Sequence, residues 1–288
     1  MTTVFASPGA GKTTQVVQRF NAAIDQGLTA DQILVLAASR EAANSLRDQL
    51  ALSLQKATPG SLARTLTSFA YGVLRVRAVA QGAELPELIS GSEQDRLLSE
   101  IIGLEIEAPN TDWPKHVTSQ VMGLSGFRAE LRDLITACLE HGVTSEHLRE
   151  LGAAHKKPEW IASANLFEKY LGLVSSQEYE SRFDPTLLLR DAAQWLSALA
   201  EWPNSISNIR LVLVDDAQEL TPAASHLLKV LTSRGADLVL LGDPDASTLG
   251  FRAADPRAMS NLSQQVAAQH KVQVEEIFLQ PPHASRTP

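Results

Sequence analysis

Continuous apolar runs alternate with longer amphipathic stretches at both ends of the chain, but not in its middle. Residues 33–36, 209–214 and 237–241 are rich in leucine, valine and isoleucine with little polar alternation, the pattern of strands buried on both faces. Thr3, Val4 and Phe5 form a short β-prone lead, and residues 272–278 are a further strand candidate. Beside them, residues 13–26, 40–54 and 222–233 carry helical spacing. Strands alternating with helices predict a parallel α/β sheet.

From about Glu84 to Trp202 the pattern turns helical. Residues 92–102, 126–140, 145–151, 161–174 and 185–199 read as helices, with no convincing buried strand among them. Turn signals fall at Pro109-Asn110, Trp113-Pro114, Lys157-Pro158 and Trp202-Pro203-Asn204. The expected layout is a discontinuous α/β domain over 1–83 and 205–288, interrupted by a helical subdomain over 84–204. Residues 281–288 read as either an extended tail or a cut end.

The β-prone lead runs into Ala6-Ser7-Pro8-Gly9-Ala10-Gly11-Lys12-Thr13-Thr14. Gly9 and Gly11 let the backbone curl with N–H groups inward, and the helix that follows presents its positive end to the same space. Ser7, Gly9, Ala10, Gly11, Lys12, Thr13 and Thr14 are therefore candidate phosphate-binding residues. In such a loop the lysine reaches the β- and γ-phosphates and the first hydroxyl is a magnesium ligand. A glycine-rich turn with a chance lysine is the plain alternative; the strand, Gly-Lys-Thr and helix standing together weigh against it.

The run at 211–214 ends in Asp215 and Asp216. Strand C-terminal ends face the ligand crevice of a parallel sheet. There Asp215 is placed to hold magnesium and Asp216 to take a proton from attacking water. A solvated acidic turn is the alternative. A second strand end, Gly242-Asp243-Pro244-Asp245, is followed closely by Gly250-Phe251-Arg252.

These segments together resemble the N-terminal half of the UvrD/Rep class of superfamily 1 DNA helicases. Residues 6–13 resemble motif I, 33–50 motif Ia, and 65–70 the next DNA-side motif. Residues 214–219 resemble motif II, 242–254 motif III, and 182–188 the segment closing the family's helical subdomain. The resemblance implies a RecA-like P-loop sheet interrupted by a helical subdomain, with ATP and Mg2+ as cofactors. It implies Lys12, Asp215 and Asp216 in catalysis, Thr13 and Asp215 on the metal, and single-stranded DNA as partner, in the service of DNA repair. Gln218 stands where the family links its nucleotide and DNA sides; a polar helix start is the alternative. Ala37–Arg40 and Val214–Ala217 look closest to the motor subunits of AdnAB-type helicase–nucleases.

Departures from the family pattern bear on activity. Asp216 replaces the usual glutamate, Ala246 the γ-phosphate-sensing glutamine, and Leu249 a tyrosine. Ala38 stands for an aromatic, Glu41 for a lysine and Thr67 for a histidine. Losing an aromatic removes a stacking platform worth about 1–3 kcal/mol per base, and Glu41 opposes phosphate electrostatically. With the loop so near residue 1, no adenine-contacting glutamine motif is expected before it. A second RecA-like domain, or a partner motor or nuclease subunit, is expected to complete the site. Arg286 is either the γ-phosphate arginine of motif IV or a tail residue. The expectation is a nucleotide-binding core that does not unwind DNA alone, or a degenerate motor supporting a partner.

Composition narrows this only slightly. With 44% hydrophobic and 20% charged residues the chain is of ordinary globular type. No apolar run approaches the ~20 residues of a membrane span, and no signal-like leader opens the chain, so a cytoplasmic location is expected. The net charge of −8 argues against a surface basic throughout. Cys138, the one cysteine, reads as a buried thiol, and the histidines show no zinc-like spacing. Arg64, Arg75 and Arg77 are open between DNA contact and ordinary surface roles. Trp113, Trp160, Trp195 and Trp202 are expected to pack.

Overall fold

The apolar runs at the two ends of the chain become strands of one sheet. The structure, a computed structural model, describes residues 1–7, 9–54, 60–108, 113–175, 181–246 and 257–279. The chain forms two compact units, residues 1–76 with 189–288 and residues 77–188.

In the first unit, β1 (Thr2–Ala6), β2 (Ile33–Ala37) and β3 (Ala63–Thr65) are joined through α1 (Lys12–Asp25) and α2 (Arg40–Leu54). Within α3 (Leu66–Gln81) the chain enters the second unit, which holds β4 (Glu87–Leu88) and β5 (Arg182–Phe183). It returns through α9 (Pro185–Ala198) and the single turn α10 (Asn204–Ser207) to β6 (Leu211–Val214), α11 (Pro222–Thr232), β7 (Asp237–Gly242), α12 (Ala258–His270) and β8 (Glu275–Leu279). The sheet order is β3-β2-β6-β7-β1-β8, and every neighbouring pair is parallel. All six C-terminal ends therefore lie along one edge.

Burial on both faces explains the missing polar alternation: all five positions of β2 are buried. On one face Val4, Ile33, Val35, Leu213, Val239 and Leu241 meet Val16 and Phe20 of α1 and Leu46 and Leu50 of α2. Phe20 and Leu50 are wholly inaccessible, and such side chains each contribute about 1.5–3 kcal/mol. Alternation turns Leu34, Leu36, Val212, Leu238 and Leu240 to the other face. There α12 packs on β1, β7 and α11.

Two strands begin later than the pattern suggests. The turn of α10 runs on to Asn208, so β6 starts at Leu211. At the end of α12, Lys271 takes a left-handed φ of 54° and the Val272 N–H closes on the Ala267 carbonyl at 3.0 Å. That helix-stop geometry holds residue 272 out of β8.

The second unit is built on α4 (Gly91–Glu107), α5 (Ser119–Met122), α6 (Ser125–His141), α7 (Ser145–Ala154) and α8 (Pro158–Val174). Leu97, Leu98, Ile101, Ile135, Leu139, Phe167 and Tyr170 form its core. Ser90, Thr118 and Thr144 cap α4, α5 and α7 by accepting N–H bonds from Glu93, Val121 and His147. Two buried carboxylates are satisfied. Glu105 pairs with Lys169 at 2.6 Å. Asp184 accepts from Gln94 (2.8 Å), Tyr170 (3.0 Å) and the Thr186 N–H (2.8 Å). The unit's bounds fall inside α3 and α9, where no turn residue marks them. The two-residue β4–β5 ladder is an addition to the helical expectation. Among the described residues no helix is long and apolar enough to cross a membrane.

Candidate functional site

The site begins where β1 hands the chain to α1. Gly9 (φ 78°) and Gly11 (φ 85°) both take left-handed backbone, open to glycine at little cost. The loop closes with the Ala10 N–H on the Ser7 carbonyl at 3.1 Å. Gly11 leads α1 without a side-chain cap, and no acidic residue stands in the first turn. The unsatisfied N–H groups and positive end of α1 suit an anion. The Lys12 ammonium folds back onto the Ala6 carbonyl at 3.3 Å.

The carboxylate pair comes from β6, which is separated from β1 in the sheet by β7. The Thr13 hydroxyl crosses that gap and donates to Asp215 Oδ2 at 3.0 Å. Asp215 is 5% exposed; burial first, and then the Asp216 charge, raise its pKa above the usual carboxylate range. Thr13, the Asp216 N–H and Lys12 act in the opposite direction. Asp216 is left-handed (φ 52°), a conformation that a short polar side chain tolerates better than most. Its Oδ1 accepts from Gln218 Nε2 at 3.2 Å, and Gln218 Oε1 accepts from the Asp243 N–H at 3.1 Å. The end of β7 is tied in turn by the Asp245 N–H on Asp243 Oδ1 at 3.1 Å.

The structure thus brings Lys12, Thr13, Asp215 and Asp216 to one strand edge, with Ser7, Gly9, Ala10, Gly11 and Thr14 in or beside the loop. Gln218 acquires a specific place between two strand ends that no spacing in the sequence indicates. Ala246 lies in the turn Pro244–Ala246 after β7 and offers only a methyl group. Pro8, residues 247–254 with Leu249, and Arg286 lie outside the described residues.

On the same strand edge, Ser39 accepts from the Ala42 N–H at the start of α2 (3.0 Å), and Thr65 from the Ser68 N–H at the start of α3 (3.1 Å). Ala38, Arg40 and Glu41 are exposed there. Arg64 is half-buried and donates to the Ser61 carbonyl at 3.4 Å. Three of the four tryptophans expected to pack do so: Trp202 is buried with Nε1 on the Leu196 carbonyl at 2.8 Å, Trp113 meets Phe127 edge to face, and Trp160 lies against the core of the second unit.

A parallel sheet whose first strand feeds a bare glycine loop, with paired aspartates at the end of the strand two places away, defines a RecA-like phosphate-loop domain. The UvrD/REP helicase N-terminal domain family matches residues 1–267. The chain belongs to that family. It is 22% identical to the ATP-dependent DNA helicase srs2 of Schizosaccharomyces pombe, over 91% of this chain and 30% of that protein. It is 22% identical to the ATP-dependent DNA helicase Rep of Salmonella typhimurium, over 96% of this chain and 38% of that protein. A probable DNA helicase of Mycoplasma pneumoniae is also 22% identical, over 87% and 45%. The chain therefore spans less than half the length of these relatives.

Proposed function

We propose that this chain binds ATP with magnesium as the first motor domain of a UvrD/Rep-type DNA helicase. The observation that carries the reading is the 3.0 Å bond between Thr13 and Asp215, which joins the loop helix to the β6 end. Magnesium takes hard oxygen ligands, usually one or two from protein beside substrate phosphates and water. A hydroxyl and a buried carboxylate in contact fit that donor set, and Thr13 and Asp215 would hold the ion. When bound, it supplies positive charge at the phosphate oxygens. A cation there also offsets the burial and the Asp216 charge that press Asp215 toward protonation. Lys12, the loop N–H groups and the start of α1 hold phosphate; Asp216 accepts the proton of the attacking water.

Single-stranded DNA is the polymer this motor would follow, along the starts of α2 and α3. A second RecA-like domain, or a partner motor or nuclease subunit of AdnAB type, would close over the nucleotide. A second reading, a degenerate nucleotide-binding module serving such a partner, draws on Asp216 and Ala246 in place of longer side chains.

One experiment separates the readings: binding of a fluorescent ATP analogue with Mg2+, and turnover with and without single-stranded DNA, in wild type and Lys12→Ala. Losing a charged phosphate contact, about 1.5–3 kcal/mol, should weaken binding roughly tenfold or more. Equal binding by both proteins would sink the nucleotide reading. DNA-stimulated turnover lost in the variant favours the motor; turnover no better than the variant's favours the module.

A further inference from the structure

We propose that Gln218 is a positioning residue that sets the Asp216 carboxylate against the end of β7, and that Gly242 is bare so that the Gln218 carboxamide can stand there. The proposal rests on the nucleotide reading above.

Gln218 is 6% exposed in the turn Ala217–Glu219 that follows the carboxylate pair. Its amide is used at both ends: Nε2 donates to Asp216 Oδ1 at 3.2 Å, and Oε1 accepts from the Asp243 N–H at 3.1 Å. Only this orientation works. Flipping the amide would set oxygen against carboxylate and N–H against N–H. With Oδ1 held, Oδ2 is the oxygen left to accept a proton from water. The side chain of Asp216 is one bond shorter than that of a glutamate, so its reach depends on being aimed. The same amide reads the main chain of β7, so a shift of that strand end would move the carboxylate with it.

Gly242 gives independent support. Its φ is not among the left-handed glycines, so backbone freedom does not explain it. Space does. A Cβ at residue 242 would lie 2.6 Å from Gln218 Oε1, 3.1 Å from the Gln218 main-chain nitrogen and 2.5 Å from Met259 Sδ. Met259 has rotamers with which to yield; an amide bonded at both ends does not. Gly242 and Gln218 are therefore two halves of one device.

The test uses the intact chain with single-stranded DNA. Gln218→Glu keeps the shape and the acceptor for the Asp243 N–H but loses the donor to Asp216 and faces it with a second carboxylate. A misplacement of about 1 Å costs on the order of 100-fold in rate. We expect kcat to fall roughly 10- to 100-fold, with KM and Mg·nucleotide affinity held within about twofold. Gly242→Ala should show the same split between kcat and KM, and should cost less in a Gln218→Ala background than alone. Retained nucleotide affinity reports folding for each variant, and Gly242→Ala decides the matter where Gln218→Glu does not fold. Turnover that Lys12→Ala abolishes but Gln218→Glu and Gly242→Ala leave unchanged would overturn the proposal and leave the nucleotide reading standing. So would binding without turnover in wild type, since Gln218 would then aim nothing. Nucleotide affinity indifferent to Lys12→Ala would overturn both.

Discussion

Asp216→Glu should speed hydrolysis while slightly weakening the fold. The glutamate adds one carbon–carbon bond, about 1.5 Å of reach. A general base must come within about 2.6–3.2 Å of the oxygen whose proton it takes, and a shortfall near 1 Å costs on the order of 100-fold. Restoring the reach should therefore raise kcat roughly 10- to 100-fold. The backbone sets the opposing term. Residue 216 is left-handed (φ 52°), where L-residues other than short polar ones lose roughly 1–2 kcal/mol. A glutamate there should cost about 1 kcal/mol, or a fall of about 2–4 °C in Tm. Phosphate release at saturating Mg·ATP and single-stranded DNA measures the first effect, and thermal unfolding the second. A kcat at or below wild type, with nucleotide affinity unchanged, would refute the argument that the short carboxylate limits the step.

Thr13→Ala removes the 3.0 Å donor to a carboxylate that is 5% exposed. An unsatisfied buried acceptor costs about 1–3 kcal/mol, so thermal unfolding should shift down and half-maximal nucleotide binding should need more Mg2+. Burial pushes the Cys138 thiol up to about 11. At pH 8 a maleimide should label the folded protein far more slowly than the denatured one. The folded state resists the thiolate, so this group's share of stability is whole below the ordinary thiol pKa of about 8.5 and falls as pH rises toward 11. Cys138→Ala should flatten that part of the curve in denaturant titrations.

How much of this was legible in the sequence depended on how local each signal is. β2 is buried at every position, and its unbroken apolar run reads as a parallel strand by itself. The loop of residues 6–14 is likewise self-contained, since glycines, lysine and hydroxyls act within one turn. The helical middle showed in its turn residues. What escaped needs the fold. Two-residue strands such as β4 and β5 have no period to detect. The Thr13–Asp215 bond joins residues 202 positions apart, and Gln218 meets Asp243 only because β6 and β7 are neighbours. In the sequence Gly242 reads as part of a Gly-Asp-Pro turn; its need for space emerges only beside Gln218 and Met259.

Three departures from the family pattern, at Ala38, Glu41 and Ala246, fall outside the bonded network of the carboxylates. Ala38 and Glu41 are exposed at the start of α2, and surface changes of this kind cost little stability. Ala246 stands in a short turn. The carboxylates are placed differently. Thr13 holds Asp215, the Asp216 N–H bonds back to Asp215, Gln218 holds Asp216, and Asp243 holds Gln218. Breaking any link leaves a buried polar group unpaired, so stability alone resists drift here. The decisive comparison is between Asp216→Glu, which strains the fold to extend reach, and Gln218→Glu, which keeps size and removes aim. Only a working hydrolase should respond to the two in opposite directions.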